Sequence, residues 1–239
     1  MSTPELRLCI GNKNYSSWSM RPWVLMRELA LPFEEVVWRF DSFAADSAFK
    51  RAALAVNPVG KVPALIDAAV LDQSGQALVV WDSLAIVEHL AERFPEAGVW
   101  PQDPVRRARA RSLCAEMHSG FGALRSHCPM NIEAELSAVG ANIWRDEAGV
   151  RADVARLEAA WAEALRVSGG PMLMGAFSAV DAFFAPVVMR LRTYGLPLSA
   201  PAQAYADAVW ALPGVQAWVA AACAEQDFLP FEEPYRQTR

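Results

Sequence analysis

Strand-like and helical patterns occupy different parts of this 239-residue chain, and that segregation restricts its fold more than any other feature. Up to residue 94, short apolar runs typical of strands alternate with helical spacing in the order β-α-β-α-β-β-α. The segment PEAGVWPQDP (95–104), with three prolines and one glycine, then interrupts the pattern, and only helical spacing recurs after it. We therefore expect an α/β domain over residues 1–94, a linker over 95–104 and an all-helical domain over 105–239.

The first part predicts a four-stranded mixed sheet with helices packed on it. Its strand-like runs lie at 6–11, at 33–40 and within 61–81, where the turn formers Ser74 and Gly75 predict an antiparallel hairpin. Helical stretches lie at 19–31, 47–57 and 82–94. In the second part we expect a coil that wraps round from Leu229, preceded by helices at 105–127, 131–145, 148–168, 178–194, 200–211 and 213–226.

Composition and charge exclude several classes of function. The formal net charge is −5, so the chain has no broad basic field that would attract nucleic acid or an anionic membrane. Any anionic ligand must therefore be held by local cations. The four cysteines, Cys9, Cys114, Cys128 and Cys223, are scattered without metal-ligand spacing, so we expect neither disulfides nor zinc. The start of the chain lacks a signal-peptide pattern and no apolar run is long enough to span a membrane, which favours a cytoplasmic location.

Four motifs occur in a fixed order: NYSSWSMRPW (14–23), NPVGKVPALID (57–67), WDSLAIVEHL (81–90) and SAVDAFFAPVV (178–188). On these motifs, nearly the whole chain resembles the glutathione transferase superfamily, and it is most similar to bacterial members near the serine-type classes. The resemblance implies a thioredoxin-like first domain and a helical-bundle second domain. It also implies glutathione as co-substrate, thiolate attack on a small apolar electrophile and a homodimer.

The serines of the first motif lie where members of this superfamily activate the glutathione thiol. That thiol has an ordinary pKa of ~8.5, so an enzyme that uses it as a nucleophile must stabilise the thiolate. A hydroxyl donor and a helix N-terminus both favour the charged sulfur. The resemblance makes Ser16 the first catalytic candidate and Ser17 the second, with Ser19 as the helix N-cap. Tyr15 stays open as an alternative donor.

Trp18 occupies the position at which the serine-type pattern has a cysteine. Thiol-disulfide exchange is therefore disfavoured, because it needs a reactive thiol at this turn and Cys9 lies earlier, within the strand.

The second and third motifs imply a glutathione-binding set by resemblance. Pro63 matches a cis-proline, and the backbone of Val62 matches the edge that pairs with the cysteinyl part of glutathione. Lys61 matches the lysine that meets the glycyl carboxylate. Asp82 and Ser83 match the residues that hold the γ-glutamyl amine and carboxylate, and their position before a helical pattern is also typical of an N-cap.

The second substrate is expected between the two domains. Met117, Phe121 and Arg125 recur every four residues, which predicts one helix face with an apolar body and a cation at its end. The same spacing is also typical of core positions. Ser178 and Asp181 predict a capping box rather than a catalytic pair, and the three histidines are interpreted as structural or solvated.

Two rival functions stay open at this stage. One is a glutathione-dependent isomerase or dehalogenase, and the other is a non-catalytic binding protein with the same fold. The sequence does not identify the electrophile.

Overall fold

The computed structural model describes residues 5–239. The first part contains β1 (Leu6–Ile10), α1 (Ser17–Glu28), β2 (Glu34–Val37), α2 (Ala48–Leu54), β3 (Ala64–Leu71), β4 (Ala77–Trp81) and α3 (Ser83–Arg93). Seven helices follow: α4 (Pro104–Ser119), α5 (Gly122–His127), α6 (Ser137–Asp146), α7 (Ala148–Ser168), α8 (Ala179–Thr193), α9 (Ala200–Trp210) and α10 (Pro213–Glu225).

The four strands form one mixed sheet in the order β2-β1-β3-β4. Strand β1 runs parallel to β2 and antiparallel to β3, and β3 pairs with β4 as the predicted hairpin. This topology, followed by the helices, confirms the predicted fold class, a thioredoxin-like α/β part and a helical part. The peptide bond between Val62 and Pro63 is cis.

Helix α8 lies at the centre of the molecule. All of its residues are buried except Arg192, and it packs against α1 and α4. Its first turn contains the predicted capping box, in which Ser178 N–H donates to Asp181 Oδ2 at 3.0 Å. Helix α1 joins this core to the sheet, because Met20, Val24 and Leu25 are fully buried. The loop before α1 is therefore fixed between the sheet and the helical part.

Three helix predictions differ from the structure. Helix α1 begins at Ser17, so Ser16 is its N-cap residue and Ser19 lies within the first turn. The prediction that Ser19 is the N-cap is therefore wrong. The Ser19 hydroxyl instead accepts the Gly11 N–H at 3.1 Å and so connects the helix to the end of β1. The helix expected at 131–145 begins only at Ser137.

The helix expected at 105–127 is broken into α4 and α5. Phe121 has a left-handed backbone with φ 56°, and a Cβ on Gly120 would lie 2.8 Å from the Glu116 carbonyl oxygen. Glycine is the residue that fits there, so the chain turns at this point instead of continuing the helix.

The tail from Leu229 returns to the loop before α1, as expected. Glu233 is buried and accepts a hydrogen bond from the Tyr15 hydroxyl at 2.7 Å. No helix among residues 5–239 is sufficiently long and apolar to cross a membrane.

Candidate active site

The loop between β1 and α1 (11–16), here called the serine loop, positions Ser16 and Ser17. The Asn12 carbonyl accepts the N–H groups of Tyr15 and Ser16 at 3.2 and 2.8 Å, which closes a tight turn. The Asn12 side chain accepts the Phe40 N–H at 2.7 Å and so fixes this turn to the end of β2. The turn delivers Ser16 and Ser17 to the start of α1, where the first N–H groups of a helix lack intrahelical acceptors.

Ser16 lies at the N-cap position and is only 5% exposed. Its hydroxyl donates to Ser19 Oγ at 2.7 Å, and Ser19 Oγ also accepts the Gly11 N–H. Hydroxyl protons rotate, so when a ligand acceptor is bound Ser16 can turn its proton to the ligand and accept the proton of Ser19 instead. The Ser16 oxygen is thus held in place from behind and can act as a donor towards the cleft.

Ser17 has a different partner. Its Oγ accepts a hydrogen bond of 3.1 Å from Arg190 Nη2 on α8. Because the guanidinium is the donor, the Ser17 proton is not used in this contact. Arg190 is itself held by the Cys128 carbonyl at 2.5 Å, and burial, together with the charge of Arg125, lowers the pKa of Arg190 to about 10. The buried Arg190 guanidinium therefore contacts the Ser17 hydroxyl directly.

Trp18 is half-buried and lies against three basic side chains. Its ring is 4.1 Å from the Arg21 guanidinium carbon, 4.7 Å from that of Arg125 and 4.9 Å from the His118 ring centroid. These distances are within the range of cation–π and edge-to-face contacts. A cysteine could not fill this position, so the departure from the serine-type pattern has a structural role here.

Arg21 is the most enclosed of these cations. It is 2% exposed, and its Nη1 is 3.5 Å from Ser83 Oγ, while its Nε has no hydrogen-bond partner within residues 5–239. Burial, followed by the charges of Arg125 and Arg190, lowers the pKa of Arg21 to about 9. Positive charge is concentrated around the start of α1.

These groups border a two-compartment cleft. The larger compartment, about 800 Å³, is lined by Ser16, Ser17 and Arg190. The smaller one, about 620 Å³, is lined by Asp82, Ser83 and His118. Both compartments are also lined by Trp18, Lys61, Val62 and Arg125.

Asp82 and Ser83 mark the start of α3 in the smaller compartment. Asp82 Oδ1 accepts the Leu84 N–H at 2.8 Å, so the N-cap interpretation is confirmed. Its other oxygen is 3.3 Å from His118 Nε2. Burial lowers the pKa of His118 and Asp82 opposes that effect. The hydroxyl of Ser83 is fully buried beside Arg21.

Tyr15 lines the larger compartment, but its hydroxyl is engaged by the tail. It donates to Glu233 at 2.7 Å and accepts the Leu229 N–H at 3.4 Å. Burial and the Glu233 contact raise the pKa of Tyr15 to about 12. The phenol therefore serves as an anchor for the tail, and its proton is not directed at the cleft.

The three residues predicted to bind the second substrate do not share one face of a helix. Arg125 lines both compartments, whereas Met117 is 2% and Phe121 6% exposed and both belong to the hydrophobic core. The cause is the break at Gly120, which ends the helix face on which the three side chains would have shared one direction. Apolar lining of the larger compartment comes instead from Phe40, Phe43 and Met130.

Sequence reasoning missed two side chains of the cleft, Arg190 and His118. Arg190 lies 173 positions from Ser17 in the chain, and the one local signal that could have marked it is an arginine directly after the apolar run of α8. His118 follows Met117 on α4, and its position against Asp82 depends on how α3 packs against α4. Among residues 5–239 no group of His, Cys, Asp and Glu side chains could hold a metal ion.

Comparisons with known proteins fit this geometry. Residues 15–93 match the family model of the glutathione S-transferase N-terminal domain. A probable maleylacetoacetate isomerase from Caenorhabditis elegans is 32% identical over 47% of this chain and 49% of its own. Glutathione S-transferase GstB from Escherichia coli K12 is 34% identical over 43% of this chain and 45% of its own. The chain thus spans about half the length of the curated relatives that it matches.

Solved structures cover nearly the whole chain. A glutathione transferase homologue from Burkholderia, with bound glutathione, has a TM-score of 0.65 and 23% identity and covers 92% of this chain and 99% of its own. A maleylacetoacetate isomerase from Anaeromyxobacter dehalogenans, also with bound glutathione, has a TM-score of 0.61 and 26% identity and covers 91% of this chain and 96% of its own. The family model begins after β1 and covers Ser16, Ser17, α1, α2, α3 and the strands β2, β3 and β4, and the structural likeness extends through the later helices. Residues 15–93 therefore carry a glutathione S-transferase N-terminal domain, and the chain as a whole has the fold of the glutathione transferases with which it was compared.

Proposed function

We propose that this protein is a glutathione transferase that ionises the thiol of bound glutathione for attack on a small, largely apolar electrophile. The observation that carries this proposal is the pair of serine hydroxyls at the start of α1, on the wall of the larger compartment, with the Arg190 guanidinium 3.1 Å behind Ser17. Hydroxyl donors, a helix N-terminus and a nearby cation all favour a thiolate over a thiol.

Glutathione would lie across both compartments. Asp82 offers a carboxylate to the γ-glutamyl ammonium, and Ser83 and the N-terminus of α3 offer donors to its carboxylate. The backbone of Val62 would pair with the cysteinyl unit beside cis-Pro63, and Lys61 would meet the glycyl carboxylate. With these ends fixed, the sulfur would lie against Ser16 or Ser17.

In the reaction, the thiol proton leaves to solvent and the sulfur lone pair forms a carbon–sulfur bond with the electrophile. In a substitution the leaving group departs with its bonding pair; in an addition the π pair of the double bond moves to the neighbouring carbon, which then takes a proton from solvent. Each pKa unit by which the site favours the thiolate corresponds to about 1.4 kcal/mol. Ser16 is proposed as the principal donor, and Ser17, with Arg190 behind it, as the second. Neither Met117 nor Phe121 is assigned to the electrophile site in this proposal, while Arg125 is.

A glutathione-dependent isomerase is the second candidate, since two of the similar proteins carry the name maleylacetoacetate isomerase. In that reaction the thiolate would add to a double bond and leave again, which needs the same ionised sulfur. Trp18 in place of the pattern's cysteine separates this chain from the best-known serine-type group, and conjugation is therefore preferred. A dehalogenase or a non-catalytic binding protein would be distinguished by the same assays.

The test is a panel of electrophiles assayed with glutathione, each rate being compared with that of glutathione alone. We expect enzyme-dependent conjugation of at least one electrophile and no consumption without glutathione. An isomerase would convert a cis alkene without consuming glutathione. Failure to bind glutathione in calorimetry, together with no rate above background, would refute the proposal.

The homodimer expected by resemblance belongs to the same proposal. Trp81, which pairs with Ala64 at one end of the β3–β4 hairpin, is 40% exposed, and Leu71, which pairs with Ala77 at the other end, is 65% exposed, so large apolar groups remain uncovered at both ends of this hairpin. Sedimentation at micromolar concentration should give twice the mass of the chain. A monomer mass would refute the dimer and leave the proposed chemistry unaffected.

A further inference from the structure

Three arginines around the serine loop have no carboxylate partner within residues 5–239. The N–H groups of Arg21, Arg125 and Arg190 contact hydroxyl and carbonyl oxygens, namely those of Ser83, His118, Cys128, Arg125 and Ser17. Some other arginines do have carboxylate partners. Arg236 pairs with Glu133 and Glu233, and Arg111 pairs with Glu88.

Such an arrangement is costly unless an anion completes it. Burial is the main cause that lowers the pKa of each of the three groups, and their mutual repulsion adds to the effect for Arg21 and Arg190. A buried charge without a counter-ion is destabilising, whereas a bound anion would relieve both burial and repulsion. Glu232 and Asp82 line the cleft, and their charges oppose the lowering of the pKa of Arg190 and of Arg21, respectively. Within residues 5–239 neither carboxylate lies at ion-pair distance from one of the three arginines.

The position of Arg190 indicates which anion this is. Arg190 lines only the larger compartment, with Ser16, Ser17 and the exposed ring of Phe43, while Asp82 and Ser83 line only the smaller one. The γ-glutamyl end proposed for glutathione is therefore on the other side of the serine loop. An anion at Arg190 would lie next to the sulfur and belong to the second substrate.

We propose that the electrophile carries a carboxylate, which Arg190 and Arg125 bind beside the glutathione sulfur, and an apolar body that lies along Phe43. This inference rests on the proposed function and names its substrate class. A planar guanidinium matches a carboxylate with two parallel hydrogen bonds, and such charge-assisted bonds are about twice as strong as neutral ones.

An unsaturated acid illustrates the chemistry. The thiolate lone pair forms the carbon–sulfur bond at the β-carbon, and the π pair of the double bond moves to the α-carbon, which then takes a proton from solvent. The proton that the thiol lost on ionisation goes to solvent, so the net reaction is an addition without oxidation or reduction. The carboxylate stays bound to the arginines throughout.

The probes are trans-benzoylacrylate and its neutral amide, trans-benzoylacrylamide, which share an aromatic body and a reactive double bond. For each probe, kcat/KM with glutathione is divided by the rate constant of glutathione alone, and the acid-to-amide ratio of these enhancements is the readout. We expect a ratio of ~10–100 in the wild type, the effect of one charge-assisted contact. Arg190→Met and Arg125→Met should each lower the ratio ~10-fold.

Arg192→Met is the matched control. Arg192 lies two positions further along α8, stacks on Trp210 at 4.0 Å and pairs with Asp207 at 3.4 Å outside the cleft. It should leave the ratio unchanged. Because Arg190 also supports the Cys128 carbonyl, Arg125→Met keeps the test decisive if Arg190→Met does not fold.

The outcomes separate the two proposals. If glutathione binds and the amide is conjugated, but the wild-type ratio is near one or neither arginine variant changes it, the carboxylate subsite is refuted and the transferase proposal stands. If glutathione does not bind and neither probe reacts above background, both are refuted.

Discussion

Replacement of the serines at the start of α1 provides the sharpest test of how the thiol would be activated. Ser16→Ala removes a hydroxyl that is supported by Ser19, and Ser17→Ala removes one that is supported by Arg190. Loss of one hydrogen bond to a charged acceptor costs about 1.5–3 kcal/mol. Since each pKa unit is about 1.4 kcal/mol, the pKa of the bound thiol should rise by roughly one to two units when its main donor is lost.

The rate should follow the thiolate population. The acid limb of the pH–rate profile should move to higher pH in Ser16→Ala, and the rate at neutral pH should fall ~10–100-fold. Glutathione affinity at neutral pH should fall with the thiolate population, because the wild type is expected to bind the ionised form. Affinity measured at a pH below the pKa of the bound thiol should change little, because the proposed anchors Lys61, Asp82 and Ser83 are intact. If Arg190 makes Ser17 the better donor, the larger shift will appear in Ser17→Ala.

The assay is a pH titration of the ultraviolet absorbance of the bound thiolate in each variant. Ser126→Ala is the control, since Ser126 lines the same compartment on α5 and is not part of the serine loop. It should leave the pKa of the bound thiol unchanged. No shift in either serine variant, or an equal shift in the control, would refute the hydroxyl mechanism.

Asp82→Asn keeps an oxygen to cap α3 but loses the charge, so calorimetry should show glutathione affinity reduced ~10-fold at an unchanged melting temperature. Asp103→Asn, the cap of α4, is the control and should not alter affinity. Tyr15→Phe breaks the contact with Glu233 and should lower the free energy of unfolding by about 1–3 kcal/mol without shifting the pKa of the bound thiol, and a shift would contradict the anchoring role. Burial raises the pKa of Asp181 to about 6, whereas an unfolded chain gives ~3.9, so folding favours the protonated form. The stabilisation that comes from the raised pKa of Asp181 is therefore full below about pH 4 and is lost as the pH rises through about 6. In urea unfolding, the free energy of unfolding of the wild type should fall by roughly 3 kcal/mol over this interval relative to that of Asp181→Asn. A rise in the free energy of unfolding over the same interval would contradict this prediction.

The order of elements could be predicted because it depends on local patterns. Alternation with period two marks β1 and the hairpin, helical spacing marks α1 and α3, and the prolines of 95–104 separate the two patterns. The capping box of α8 and the cap of α3 were readable for the same reason, since each needs only a few neighbouring residues. The domain boundaries stay a prediction.

The break between α4 and α5 could not be predicted from periodicity. Met117, Phe121 and Arg125 keep a four-residue spacing across Gly120, so the helical pattern continues although the helix does not. A single glycine is a weak signal, because helices tolerate it at a cost of about 1 kcal/mol. Because of this break, Met117 and Phe121 lie in the hydrophobic core, and of the three predicted residues Arg125 alone lines the cleft.

The positions of Arg190 and Tyr15 at the cleft depend on tertiary packing. Arg190 reaches Ser17 only because α8 packs against α1, and Tyr15 meets Glu233 only because the tail returns over more than 200 positions of sequence. Neither contact leaves a trace in local spacing. For the same reason the sequence suggested an apolar electrophile, whereas the folded chain places Arg190 on the same compartment as the predicted Arg125, and the proposed carboxylate rests on this pair.

The central claim is that the cleft binds glutathione as a thiolate, and proton release on binding tests it most directly. At neutral pH the free thiol, with a pKa of ~8.5, is mostly protonated, so ionisation on binding must release a proton. Calorimetric titration of the wild type in two buffers that differ in ionisation enthalpy counts these protons. We expect close to one proton released per glutathione bound at neutral pH and none with S-methylglutathione, which has no thiol proton; binding of glutathione without proton release would contradict the account.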